Sequence, residues 1–122
     1  MGDRGDVDAN LTIHPTVFSA ADIERIPAQP LGDLPGVTNR VLWQNDTSMA
    51  GVLTIDGGYE LGAHTHRQNH HHIWVLEGSA EMLGQVLGPG SYVHVPAGVE
   101  HNTDARATGG CTLFYLYILP GT

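Results

Sequence analysis

The stretch Gly58-Tyr-Glu-Leu-Gly-Ala-His64-Thr-His66-Arg-Gln-Asn-His70-His71-His72 holds five of the chain's eight histidines. Neutral imidazole is the commonest protein ligand for zinc, iron, nickel and copper, so the clustering points first to a metal. On a strand, His64 and His66 project from one face, because side chains alternate with a period of two. The run behind them alternates His71/Ile73/Val75 against His72/Trp74/Leu76, which leaves one histidine inward and its neighbour outward. Both parities are apolar, so the run itself leaves open which one is inside.

A second histidine segment, Gly90-Ser-Tyr-Val-His-Val-Pro96-Ala-Gly98-Val-Glu-His101, places His101 just after a Pro-x-Gly turn, a device that re-aims a strand end. Working outward, strand signals follow one another: 39–44, 48–55, 59–66, 71–77, a hairpin of 80–83 and 85–87 about Gly84, 92–95, and the apolar 111–119. Upstream, 11–18 reads as a strand interrupted at Pro15. Ser19 caps a short helix that stops before Pro27, and 27–36 is a loop. Short strands at this spacing imply a small antiparallel barrel or jelly roll, and 122 residues suffice for one domain with a real core.

Composition excludes more than it selects. A formal charge of −8 argues against nucleic acid or an anionic membrane as partner, and the absence of lysine removes Schiff-base chemistry. Arg67 reads as a solvated loop arginine. Cys111, the single cysteine, lies in an apolar run and reads as a buried, inert thiol. The acidic N-terminus is no signal peptide and no segment is apolar enough to span a bilayer, so the cytoplasm is the expected location. Arg4-Gly5-Asp6 and the sequons at Asn10 and Asn45 are read as chance matches.

The two histidine segments together resemble the paired motifs of the cupin superfamily. Gly58, His64, His66 and Gly78 match G(x)5HxH(x)3–4E(x)6G in register, and Gly90, Pro96, Gly98 and His101 match G(x)5PxG(x)2H(x)3N. Two positions depart: His71 stands where the motif has glutamate, and Ala105 where it has asparagine. The resemblance implies an all-β double-stranded β-helix, the cupin jelly-roll barrel, over 38–119. Residues 1–37 would form an N-terminal tail and extension and 120–122 a tail. It also implies one divalent transition metal per chain, iron first and zinc or nickel next. Its ligands would be His64, His66, His101 and, by register, His71, with His70 and His72 as rivals of His71.

Histidine in place of glutamate removes a negative charge from the ligand set, so the ion would favour anionic ligands and act as a stronger Lewis acid. Without a carboxylate, the set differs from the facial triad of oxygenases that use 2-oxoglutarate. The chain is also similar to aryl-ketone dioxygenases and to the cupin half of anti-sigma factors. The latter reading needs a helical sigma-binding domain that this sequence does not contain. What the resemblance implies is therefore a metal-dependent dioxygenase acting on a small enolisable or phenolic carbonyl compound. A zinc or nickel cyclase or isomerase, or a binding module without turnover, are the alternatives. Trp74, Phe114, Tyr115 and Tyr117 are candidates to line the pocket. His94 and Tyr92 are candidate proton carriers, although a structural histidine is the plainer reading of His94. A homodimer paired through sheet edges, with 11–18 supplying an edge, is the expected assembly.

Overall fold

The computed structural model describes residues 14–65 and 69–118, with His64 and Thr65 described by their backbone alone. Among these residues the one helix, α1 (Ala20–Arg25), starts at a reciprocal cap: Ser19 Oγ accepts from Asp22 N at 3.1 Å and Asp22 Oδ2 accepts from Ser19 N at 3.0 Å. It ends at Ile26, extended because the α region is disfavoured before a proline.

Ten strands follow among the described residues: β1 (Gln29–Pro30), β2 (Val37–Gln44), β3 (Met49–Asp56), β4 (His64–Thr65), β5 (His70–Gly78), β6 (Ala80–Met82), β7 (Gln85–Leu87), β8 (Tyr92–Val95), β9 (Glu100–His101) and β10 (Gly110–Ile118). Six of them form an antiparallel sheet in the order β1-β2-β3-β10-β5-β8. The opposite layer is built from β4 with β9 and β6 with β7, joined through bridges from Asp104 to Glu60 and to Glu81. This is the jelly-roll barrel expected from the spacing of the strands.

Period-two alternation sorts the side chains. Along β10, Cys111, Leu113 and Tyr115 are buried while Thr112, Phe114 and Leu116 are half-buried on the outer face. Ile55, Ile73, Val75, Val37, Met82 and Ala105 meet them in one core. Two glycines are demanded by geometry. Gly98 has φ +86° at the third position of the turn closed by Val99 N–H to Pro96 O (3.2 Å), a turn that suits only a residue tolerating positive φ. Gly78 has φ +70°, and a β-carbon there would collide with the Gly110 carbonyl oxygen.

Three expectations need correction. Residues 14–18 form no strand, and Leu11, Thr12 and Ile13 lie outside the described residues. Pro15 offers no donor to a ladder there, and Val17 is 83% exposed. The edge strand expected over 11–18 is thus not formed by its described part, 14–18. The loop at 27–36 contributes a two-residue edge strand, β1, whose Pro30 faces Thr38. Over 59–65, the described part of the strand expected at 59–66, pairing is limited to a bridge at Glu60 and the pair His64–Thr65. Gly62, at φ +94°, breaks the run, and its N–H donates to Asn102 Oδ1 at 2.8 Å. Among the described residues no helix is long and apolar enough to cross a membrane.

Candidate metal centre

The Pro96-Ala-Gly98 turn feeds β9, whose Cα register sets His101 directly opposite His64 and Glu100 opposite Thr65. His101, Thr103 and Ala105 then alternate inward at 5%, 1% and 0% exposure. From the large sheet, β5 sends His71 inward with Ile73 and Val75, all at most 4% exposed. His70 and His72 take the other parity, on the outer face. The two inward histidines meet: His71 Nδ1 and His101 Nε2 are 3.1 Å apart.

Chemistry assigns the tautomers. His101 Nδ1 lies 3.2 Å from the Val99 carbonyl, which only accepts, so Nδ1 carries the hydrogen and Nε2 is left as an acceptor. A ligating histidine is normally held in this way, its other nitrogen donating to a carbonyl. Two imidazole nitrogens sharing one ion at roughly 2.0–2.1 Å stand about 3 Å apart when the angle is near 90–100°. The observed 3.1 Å therefore fits a common ion. Of the other expected ligands, His64 is placed only as the cross-strand partner of His101, and His66 lies outside the described residues, as does Arg67. Among the described residues no group of three or more His, Cys, Asp or Glu is close enough to hold an ion.

Beside His71 opens a cavity of about 340 Å³, lined by Leu31, Leu34, Asn39, Met49, Leu53, Leu61, Ile73, Thr103, Leu113, Tyr115 and Tyr117. No charged side chain is among them. The Tyr117 ring stands 4.3 Å from that of His71, and Tyr115 6.4 Å. Burial, and then the adjacent Tyr115, pushes the Tyr117 phenol up to about 12, and burial raises Tyr115 against the opposing bond from Asn39. Both phenols stay protonated at neutral pH and can donate hydrogen bonds. Tyr115 already does so, to Asn39 Oδ1 at 2.9 Å. Asn39 and Thr103 were not anticipated from the sequence. The signal for Asn39 was a polar residue sharing the inward parity of Val37, 2% exposed on the same strand.

The other expected site residues fall elsewhere. On β8 the inward positions are Val93 and Val95, so Tyr92 and His94 both face outward and neither reaches the His71–His101 pair. Trp74 and Phe114 share that outer face, 5.6 Å apart, and do not line the cavity, whereas Tyr115 and Tyr117 do. His72 pairs across strands with His94, and its Nδ1 is 2.6 Å from Tyr92 Oη. Partial burial, and then His94 and His70, hold His72 below the ordinary imidazole value.

A family model described as the ChrR cupin-like domain matches residues 17–117. The chain belongs to this family. No curated protein matches the sequence. Solved structures agree with the fold of this ChrR cupin-like chain. The polyketide cyclase RemF from Streptomyces resistomycificus is 18% identical, with a TM-score of 0.73, over 84% of this chain and 80% of that one. An RmlC-like cupin from Shewanella frigidimarina is 25% identical, with a TM-score of 0.69, over 80% and 87%. A chain in the complex of Rhodobacter sphaeroides SigE with the anti-sigma ChrR is 25% identical, with a TM-score of 0.65, and this cupin-like chain spans 49% of its length.

Proposed function

We propose that the chain is a metal-dependent cupin enzyme acting on a small, largely apolar carbonyl compound in its enol or phenol form, with dioxygenation as the reaction. One observation carries this reading: a buried His71–His101 pair at ligand spacing, whose His71 lines an apolar cavity of about 340 Å³. His71 and His101 would hold the ion, with His64 and His66 completing the set by their place in the motif. An iron, zinc or nickel ion bound there would supply Lewis acidity that favours the anionic form of a carbonyl substrate.

The chain's own residues do the rest. Leu31, Met49, Leu53, Leu113 and their neighbours exclude water and accept a hydrocarbon body, at the lower end of the volume range for ligand pockets. Asn39, fixed by Tyr115, together with Thr103 and the Tyr117 phenol are polar groups available to orient it. With no cation in that lining, a substrate whose carboxylate lies away from the metal end would be buried unpaired, at a large cost. Neutral diketones and aryl ketones suit the cavity better.

The test is elemental analysis of untagged protein purified without oxygen, followed by oxygen uptake with acetylacetone and an aryl ketone. Stoichiometric iron with oxygen consumption that disappears in His101→Ala is the expected result. Conversion without oxygen uptake would replace dioxygenation by the cyclase or isomerase reading. Metal-free protein without turnover would end the enzyme reading.

A further inference from the structure

The outer face of the large sheet carries a second group of histidines that the interior site does not use. His70 and His72 are two residues apart on β5, so they share a face, and His94 on β8 is the direct cross-strand partner of His72. The His72 and His94 rings are 4.8 Å apart between centroids, and the His70 and His94 rings 5.4 Å. Two imidazoles bound to one ion through nitrogens at roughly 2.0–2.1 Å have centroids about 5 Å apart, close to both separations. The His72 and His94 rings are stacked 15° from parallel, so one must turn before both can face an ion.

Neighbouring bonds are consistent with this role. Tyr92 Oη, 2.6 Å from His72 Nδ1, can accept its hydrogen and leave Nε2 to an ion. The backbone N–H of Ala97 donates to His70 Nδ1 over a long 3.3 Å, a weak contact that the ring can give up. The nitrogens do not yet converge on one point. His94 is exposed, so its ring can turn without disturbing the core.

We infer that His70, His72 and His94 form a second transition-metal site on the outer surface, separated from the interior pair by the sheet itself. Three histidines with a water in the fourth position is an established zinc arrangement, and an all-nitrogen set selects zinc, nickel or copper over magnesium or calcium. The inference is independent of the interior site, because it uses the opposite parity of the same strand.

The experiment uses the full, untagged chain with its interior metal loaded, titrated with Zn²⁺ in a chelator-buffered series, and repeated with Co²⁺ to read its visible spectrum. A second equivalent should bind, and should weaken by about tenfold or more in both His72→Ala and His94→Ala. The first equivalent should be unchanged in these variants and lost in His101→Ala. His94 is exposed, so His94→Ala tests the site without threatening the fold. No second equivalent would overturn the inference. So would a second equivalent that survives both substitutions, which marks an adventitious ion only. Persistence of the first equivalent in His101→Ala would instead refute the interior site and leave this one standing.

Discussion

Replacing His101 by Ala gives the sharpest test of the interior site, because metal binding and folding are linked. An ion that binds only the folded chain adds RT ln(1 + [M]/Kd) to stability, about 2.7 kcal/mol at a free concentration of 100 Kd. For a chain of 122 residues, intermediate between the usual size classes, 1 kcal/mol moves Tm by about 3–6 °C. The metal should thus raise the melting temperature of the wild type by about 8–16 °C. His101 is 5% exposed, meets His71 at 3.1 Å and is held by Val99, so its loss removes both a ligand and the partner of another. Even the loss of a group that merely orients a ligand weakens binding about 10–100-fold. With Kd raised about 100-fold, the same free metal contributes only about 0.4 kcal/mol, or about 1–2 °C. The variant also loses the hydrogen bonds with His71 and the Val99 carbonyl, each worth about 0.5–1.5 kcal/mol. That loss appears equally in the metal-free protein and cancels in the difference. The assay is thermal unfolding followed by circular dichroism, with and without metal held by a chelator at a level that fills only the tighter site. His72→Ala, on the opposite face, is the control and should keep the full shift. A full metal-induced shift in His101→Ala would refute the reasoning, as would its loss in His72→Ala.

Two further outcomes test the core. Cys111 is buried and its thiol is pushed up to about 11 by burial, so about 0.1% is thiolate at pH 8 and a disulfide reagent should react only on unfolding; rapid labelling of the native protein would contradict this. Leu113→Ala, at a position 1% exposed between β3 and β5, should cost about 2–5 kcal/mol in urea unfolding, whereas a cost under 1 kcal/mol would mean that the cavity beside it collapses to fill the gap.

Much of the barrel was legible because strands announce themselves locally. Gln85–Leu87 and Tyr92–Val95 fall where alternation and turn residues put them. The hairpin before β7 turns at Leu83 and Gly84, whose φ values of +50° and +83° suit a two-residue loop. The segment at 59–65 misled because its apolar pattern continues across Gly62, where the backbone turns away. The candidate proton carriers failed on parity: alternation allowed Tyr92 and His94 either face, and Val93 and Val95 filled the interior.

The sequence alone determined that histidines at a strand pair and at a Pro-x-Gly turn belong to one barrel, since those spacings are local and the motif is continuous. It also determined that adjacent histidines in a strand must part company. Which of them went inside was not a local property, because Ile73 and Val75 are no more apolar than Trp74 and Leu76. Packing against β10 and β8 made the choice, burying Ile73 and Val75 to 2% exposure or less and leaving Trp74 and Leu76 at 36% and 47%. A pairing register one residue removed would have exchanged the two faces, so only the assembled sheet put His71 beside His101 and His72 beside His94.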